Sequence, residues 1–184
     1  MFDSHRRRAT TNAAGKAARA AILIVSLAAA ACARGGVADS PLAGGAASLE
    51  ALADSAWAAV VRADTAAMER LRLTEQEHNE HVWPQLPAAD PAAGFPVDLA
   101  WENISMRDAA ARMRLLGRFE RTELSVQDVA CEGEQRFEGF RVLTDCAVHL
   151  HDPATGSVTP FQLFRDVVVR GGTHKIFRYY FDGE

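Results

Sequence analysis

The chain reads as an α+β domain, and three observations predict it. Apolar residues recur at three- and four-residue spacing from Ser48 to Gly117. Beyond Gly117 the apolar period becomes two. Asp152-Pro153 and Gly171-Gly172 then divide the alternating part at turn-forming pairs. Helices first and strands last predict helices gathered on one face of an antiparallel sheet, rather than alternating βα units.

The first 31 residues stand apart from this domain. Arg6, Arg7, Arg8, Lys16 and Arg19 come first, then the uncharged run Ala20–Ala33, rich in alanine. Basic, apolar and small residues in that order form a secretory signal. The run of 14 residues falls short of the roughly 20 that a spanning helix needs. Ala29-Ala30-Ala31 before Cys32 resembles the lipobox of bacterial lipoproteins, with Ala29 where that pattern usually has leucine. The resemblance implies that Cys32 is acylated, becomes the mature N-terminus and anchors the chain to a membrane on the periplasmic side of the cell envelope. Ordinary cleavage at a small-x-small site is the alternative and would leave a soluble periplasmic or secreted protein. Residues 32–47, rich in Gly, Ala, Ser and Pro, read as a flexible tether. The domain then occupies 48–184.

Charge removes one class of function. From Cys32 onward there are 15 basic and 23 acidic side chains, a net charge of −8. Nucleic-acid binding depends on clustered Lys and Arg, so an acidic domain of this kind is not a nucleic-acid binder. A hydrophobic share of 48% excludes a disordered chain.

Each helix announces itself at its N-terminus. Ser48 is an N-cap, followed by the stripe Leu49, Leu52, Ala53, Ala56, Trp57, Val60 and Val61. Asp64 opens a second helix with Met68 and Leu71 inward, and Thr74 with Glu77 has the form of a capping box for a third, reaching about Val82. Four prolines between Pro84 and Pro96 predict loop or extended chain. Ser105 is expected to cap a last helix that turns Met106, Ala109, Ala110, Met113 and Leu116 inward and ends at Gly117, with Asp108 and Arg112 as an i,i+4 pair. Strands are expected over residues 122–131, 140–151 and 159–169, with a last one in HKIFRYYF. In the second, Phe140, Val142, Thr144, Cys146, Val148 and Leu150 share one face.

The run SLEALADSAWAAVVRADTAAMERL, a long amphipathic helix with a tryptophan followed by Asp64 and a short helix, resembles the start of nuclear-transport-factor-2-like and SnoaL-like domains. The order of elements from Ser48 to Phe181 is similar to theirs as well. The resemblance implies a cone-shaped fold whose curved sheet and first helices enclose a pocket, used for catalysis in some relatives and for binding alone in others. Ketosteroid-isomerase-like relatives pair a carboxylate with a tyrosine in that pocket. Tyr179 and Tyr180 are the only tyrosines here, and no carboxylate matches that role.

Several side chains are candidates for chemistry. Cys131 and Cys146 remain in the exported domain, where a disulfide is favoured over two buried thiols. A tight hairpin near Glu134 would not place them opposite each other; a longer or bulged connection would. His78 and His81 lie three apart but lack the His-Glu-x-x-His pattern of zinc proteases, so they read as part of a solvated helix face. His149 and His151 share a strand face with Asp145, which suits either a metal or acid/base site or an exposed sheet surface. His174 is expected on an exposed hairpin. Trp57, Trp83, Trp101, Phe140, Phe161, Phe164 and Phe177 are core or pocket wall. No metal site, cofactor motif or catalytic residue is assigned. The function expected is non-catalytic binding of a small hydrophobic molecule or a protein partner. Its rivals are a small-molecule isomerase, dehydratase or hydrolase working in the cone pocket, and a module that homodimerises through the open sheet face.

Overall fold

The computed structural model describes residues 41–181. The signal segment and Cys32 lie outside them. Helices come first and an antiparallel sheet follows, so the α+β class holds.

Local capping sets the first three helices. Ser48 Oγ accepts the Ala51 N–H at 3.1 Å and starts α1, Leu49–Val61. Asp64 accepts the Ala67 N–H at 2.9 Å and starts α2, Thr65–Leu71. Thr74 and Glu77 complete the capping box of α3, Glu75–Glu77, which continues as a π-helical turn over His78–Val82. The proline segment is more ordered than extended chain. Trp83–Gln85, Pro87–Ala89 and Pro91–Ala93 are successive 3-10 turns, each with proline in its opening positions. Proline has the helical φ already and no N–H to leave unpaired there.

The fourth helix departs from expectation in both length and facing. α4 spans Val97–Phe119, so Ser105 lies inside it rather than at its cap, and Gly117 does not end it. Trp101, Asp108, Ala111 and Leu115 form its buried face, while Met106 and Met113 point to solvent. An aspartate in the inward stripe disguised the true periodicity. Its burial is made good by Arg112 Nε at 2.8 Å, Arg72 at 3.3 Å and the Tyr179 N–H at 2.8 Å. Glu69 bridges the same two arginines.

Five strands follow among the described residues, one more than expected. β1, Ser125–Phe137, and β2, Phe140–His151, form a long hairpin closed by Glu138-Gly139. The turn therefore lies beyond Glu134, and the register sets Cys131 opposite Cys146, where they form a disulfide. The single strand expected over 159–169 is two: β3, Val158–Phe161, and β4, Val167–Arg170. Leu163 and Phe164 between them are both fully buried. Adjacent strand residues point to opposite faces, so two neighbours entering one core require a break. β5, Thr173–Ile176, returns through Gly171-Gly172, both at positive φ. The path is β1-β2-β4-β5, with β3 paired to β2.

β4 is buried on both sides. Val167 and Val169 join the main core with Leu52, Val60, Leu115 and Tyr179, while Val168 joins Leu42, Leu73, Val82, Phe140 and Val142 in a second cluster. Phe140 and Val142 thus belong to a different cluster from Cys146, Val148 and Leu150, with Asp145 at φ 51° between them.

The flexible tether expected over 32–47 gives way at Leu42, which is buried. Ala46 pairs with His174 in a bridge, and a Cβ at Gly45 would stand 2.6 Å from the His174 carbonyl oxygen. Only glycine lets the backbone come so close at φ 74°. Lys175 and Glu77 hold this arm: Lys175 Nζ donates to Glu77 Oε2 and to the Ala43 carbonyl, both at 2.7 Å, and the Ala43 N–H donates to Glu77 Oε1 at 3.0 Å.

Reduction of Cys131–Cys146, which are 15 residues apart, is expected to cost about 3 kcal/mol in the chain-entropy model; urea unfolding with and without reductant measures it. Glu77→Gln strands a buried ammonium, with an expected loss of about 3–5 kcal/mol. Burial opposes ionisation of Glu77, but Lys175 and Thr74 outweigh it and lower its pKa. Its contribution is therefore present above the ordinary carboxylate range and lost as pH falls through the lowered value. The same unfolding series repeated in acid should show Glu77→Gln with a shallower pH dependence than the parent.

Candidate functional site

Trp57 anchors the candidate site from beneath. Its indole N–H donates to the Leu124 carbonyl at 2.8 Å, which fixes the connection from α4 to β1. Its ring packs on Phe119 at 5.2 Å and Phe161 at 6.3 Å, and Phe119 meets Phe161 edge-on at 5.1 Å. Phe161 in turn meets Phe181 at 6.3 Å. Helix end, sheet edge and C-terminal segment are thereby held apart by rings rather than collapsed. The space left is a cleft of about 480 Å³ with Phe119, Leu124, Leu150, Phe161 and Phe181 in its walls. Ligand pockets are commonly about 300–1,000 Å³.

The rim is polar. Arg118 lies over the Phe119 ring, and Asp152, Ser157 and Thr159 also line the cleft. Asp152 accepts the Ala154 N–H and the Thr155 hydroxyl, each at 2.9 Å, and the backbone bond above all holds its pKa below the usual carboxylate value. It is an acceptor at neutral pH. Ser157 Oγ shares a hydrogen bond with Thr155 Oγ1 at 2.8 Å. One cation, one anion and two hydroxyls around an apolar trough can orient the polar end of a ligand whose body is apolar.

Comparison with known proteins finds no match to a family model, a curated protein or a solved structure. The chemistry must be read from this chain alone.

The sequence candidates lie elsewhere. Asp145 pairs with Arg165, and His149 with Asp128 across the β1–β2 pair, so the candidate trio with His151 is not assembled. Among the described residues no group of three or more His, Cys, Asp or Glu could hold a metal ion. Tyr179 is fully buried; its hydroxyl donates to the Met68 carbonyl at 3.3 Å, and burial raises its pKa. His174 lies on the β4–β5 hairpin as expected but is half-buried there, its backbone paired with Ala46. Of the tryptophans, Trp57 underlies the cleft, whereas Trp83 and Trp101 enclose His78 together with Phe177.

The helix face containing His78 is only partly solvated: Glu75 and Glu80 are exposed and His81 is half-buried. Glu77 and His78 are buried, and His78 Nδ1 lies 2.7 Å from Asn79 Oδ1 while Nε2 has no partner. Phe119 and Phe181, which complete the cleft, were not singled out from sequence. Phe119 ends α4, which is visible only once that helix is known to run past Gly117, and Phe181 lies in the segment that follows β5.

Burial lowers the pKa of His78 from 6.5, against weaker opposing effects of Asn79 and Glu75. The unfolded chain then takes up this proton before the folded one, so stability should fall as pH drops below 6.5 and level off once the folded state is protonated too. Burial and then Arg141 lower His174 with the same sign. Unfolding midpoints across the histidine range should decline for the parent and decline less for His78→Phe.

Proposed function

We propose that this chain is an exported lipoprotein whose nuclear-transport-factor-2-like domain binds the apolar body of a small amphipathic molecule without catalysing its conversion. The aromatic cleft carries the reading. Its walls are contributed by α4, β2, β3 and the C-terminal segment, the place where a curved sheet and its covering helix would leave the mouth of a cone. Two irregularities support curvature of the sheet: the register shift between Val126 and Asp128, and the positive φ of Asp145.

The rim supports binding rather than turnover. Asp152 is engaged by its own turn, Ser157 has a threonine hydroxyl as partner rather than a base, and Arg118 is a fixed cation. The Cys131–Cys146 disulfide supports export to an oxidising compartment. No helix among the described residues is long and apolar enough to cross a membrane, and the lipid on Cys32 would supply the attachment.

Titration with N-phenylnaphthylamine and with a medium-chain fatty acid tests the reading, with Trp57 emission as a second readout beneath the cleft. Saturable binding is expected, and Thr159→Arg, which fills the mouth, should weaken it by about tenfold or more, equivalent to roughly 1.4 kcal/mol. Absence of saturation with both probes, or binding indifferent to Thr159→Arg, would refute it. Mass spectrometry of the mature N-terminus should find an acylated Cys32; an unmodified or missing Cys32 would remove the lipid anchor.

A further inference from the structure

Five large apolar side chains stand exposed among the described residues, and four of them are clustered in sequence. Phe95, Leu99, Met106 and Met113 are 46%, 49%, 62% and 75% exposed. The last three are seven residues apart on α4, so they form one line with only a slight drift around the helix. Small residues lie beside that line, Ala109 and Ala110 near its middle and Gly117 at its end. Trp101, Asp108 and Leu115 pack inward, leaving this stripe uncovered.

Charge along the helix is segregated. Asp98 and Glu102 lie in the first half and Arg112, Arg114 and Arg118 in the second, with Arg107 and Asp108 adjacent at the centre. A parallel partner of the same kind would set like charges side by side. An antiparallel one sets acidic ends against basic ends.

We propose that the exposed stripe of α4 is an interface between two copies of this chain, packed antiparallel about a two-fold axis through Met106. The spacing is self-complementary about that residue. Leu99 meets the partner's Met113, and Asp98 comes level with the partner's Arg114. Phe95, just ahead of the helix, comes level with the partner's Gly117, where a side chain would find open space. Met106 meets the partner's Met106 between the alanines, where an unbranched thioether can adapt its packing. Such an isologous contact closes on itself and stops at two copies. α4 has 23 residues, a length of about 35 Å, sufficient for the whole seam. The sheet face takes no part.

The dyad makes a specific test available. Sedimentation of the full chain should show a concentration-dependent dimer. Met106→Glu and Met106→Lys should each weaken self-association by about tenfold or more, roughly 1.4 kcal/mol, because the axis places two like charges in contact. An equimolar mixture of the two variants should associate again, since the same axis then pairs opposite charges. Circular dichroism should be unchanged, the side chain being at the surface. A parent that stays monomeric at its highest soluble concentration, association insensitive to Met106, or a mixture no tighter than either variant alone would each overturn the proposal.

Discussion

Glu77 joins three parts of the chain that are far apart in sequence. Its carboxylate accepts the Ala43 N–H of the N-terminal arm, the Thr74 N–H and hydroxyl of its own cap, and the Lys175 ammonium of β5. Lys175 is 1% exposed and makes its second bond to the Ala43 carbonyl. A buried charge without a partner is costly, so each group requires the others in place. The arm docks, β5 stays in register with β4, and α3 begins at Thr74 as parts of one arrangement. A second ionic cluster, Asp108 with Arg72, Arg112 and the Tyr179 backbone, couples α2, α4 and the last segment in the same manner.

Between these two locks the rings decide where space remains. Trp57, Phe119, Phe161 and Phe181 touch in a chain at edge and tilted geometries. Such contacts prop surfaces apart at ring width and keep the wall apolar. At the other end, Trp83, Trp101 and Phe177 close around His78, so aromatic packing there encloses a polar ring instead of opening a cleft. The difference lies in what covers each group. Arg72 sits over Trp101 and the proline turns follow Trp83, whereas the first group borders a cleft lined by α4, β2, β3 and the C-terminal segment.

Legibility in the sequence followed the range of the interactions. Ser48, Asp64 and Thr74 were readable as caps because their partners are three residues away. Ser105 has the same chemistry, yet Val97 to Ile104 continue a helical face and no chain break isolates it. The buried stripe of α4 contains Asp108, whose partners Arg72 and Tyr179 are distant, so apolar counting chose the opposite face. That choice also hid the exposed methionines. The break between β3 and β4 depends on Leu163 and Phe164 entering the core together, which no local rule imposes. Cys131 and Cys146 were readable as a pair, but their register depended on the turn falling at Glu138-Gly139.

Composition, capping and period by themselves determined that this chain carries helices followed by antiparallel strands, an acidic surface and two cysteines suited to pairing. These are properties of residues and near neighbours, and short-range hydrogen bonds or alternation express them directly. Tertiary structure alone decided which side of α4 is covered, that the arm from Leu42 is part of the fold, and that a cleft opens above Trp57. Each of those outcomes is settled by burial of groups brought together from distant positions. Their energies exist only once the chain has closed on itself.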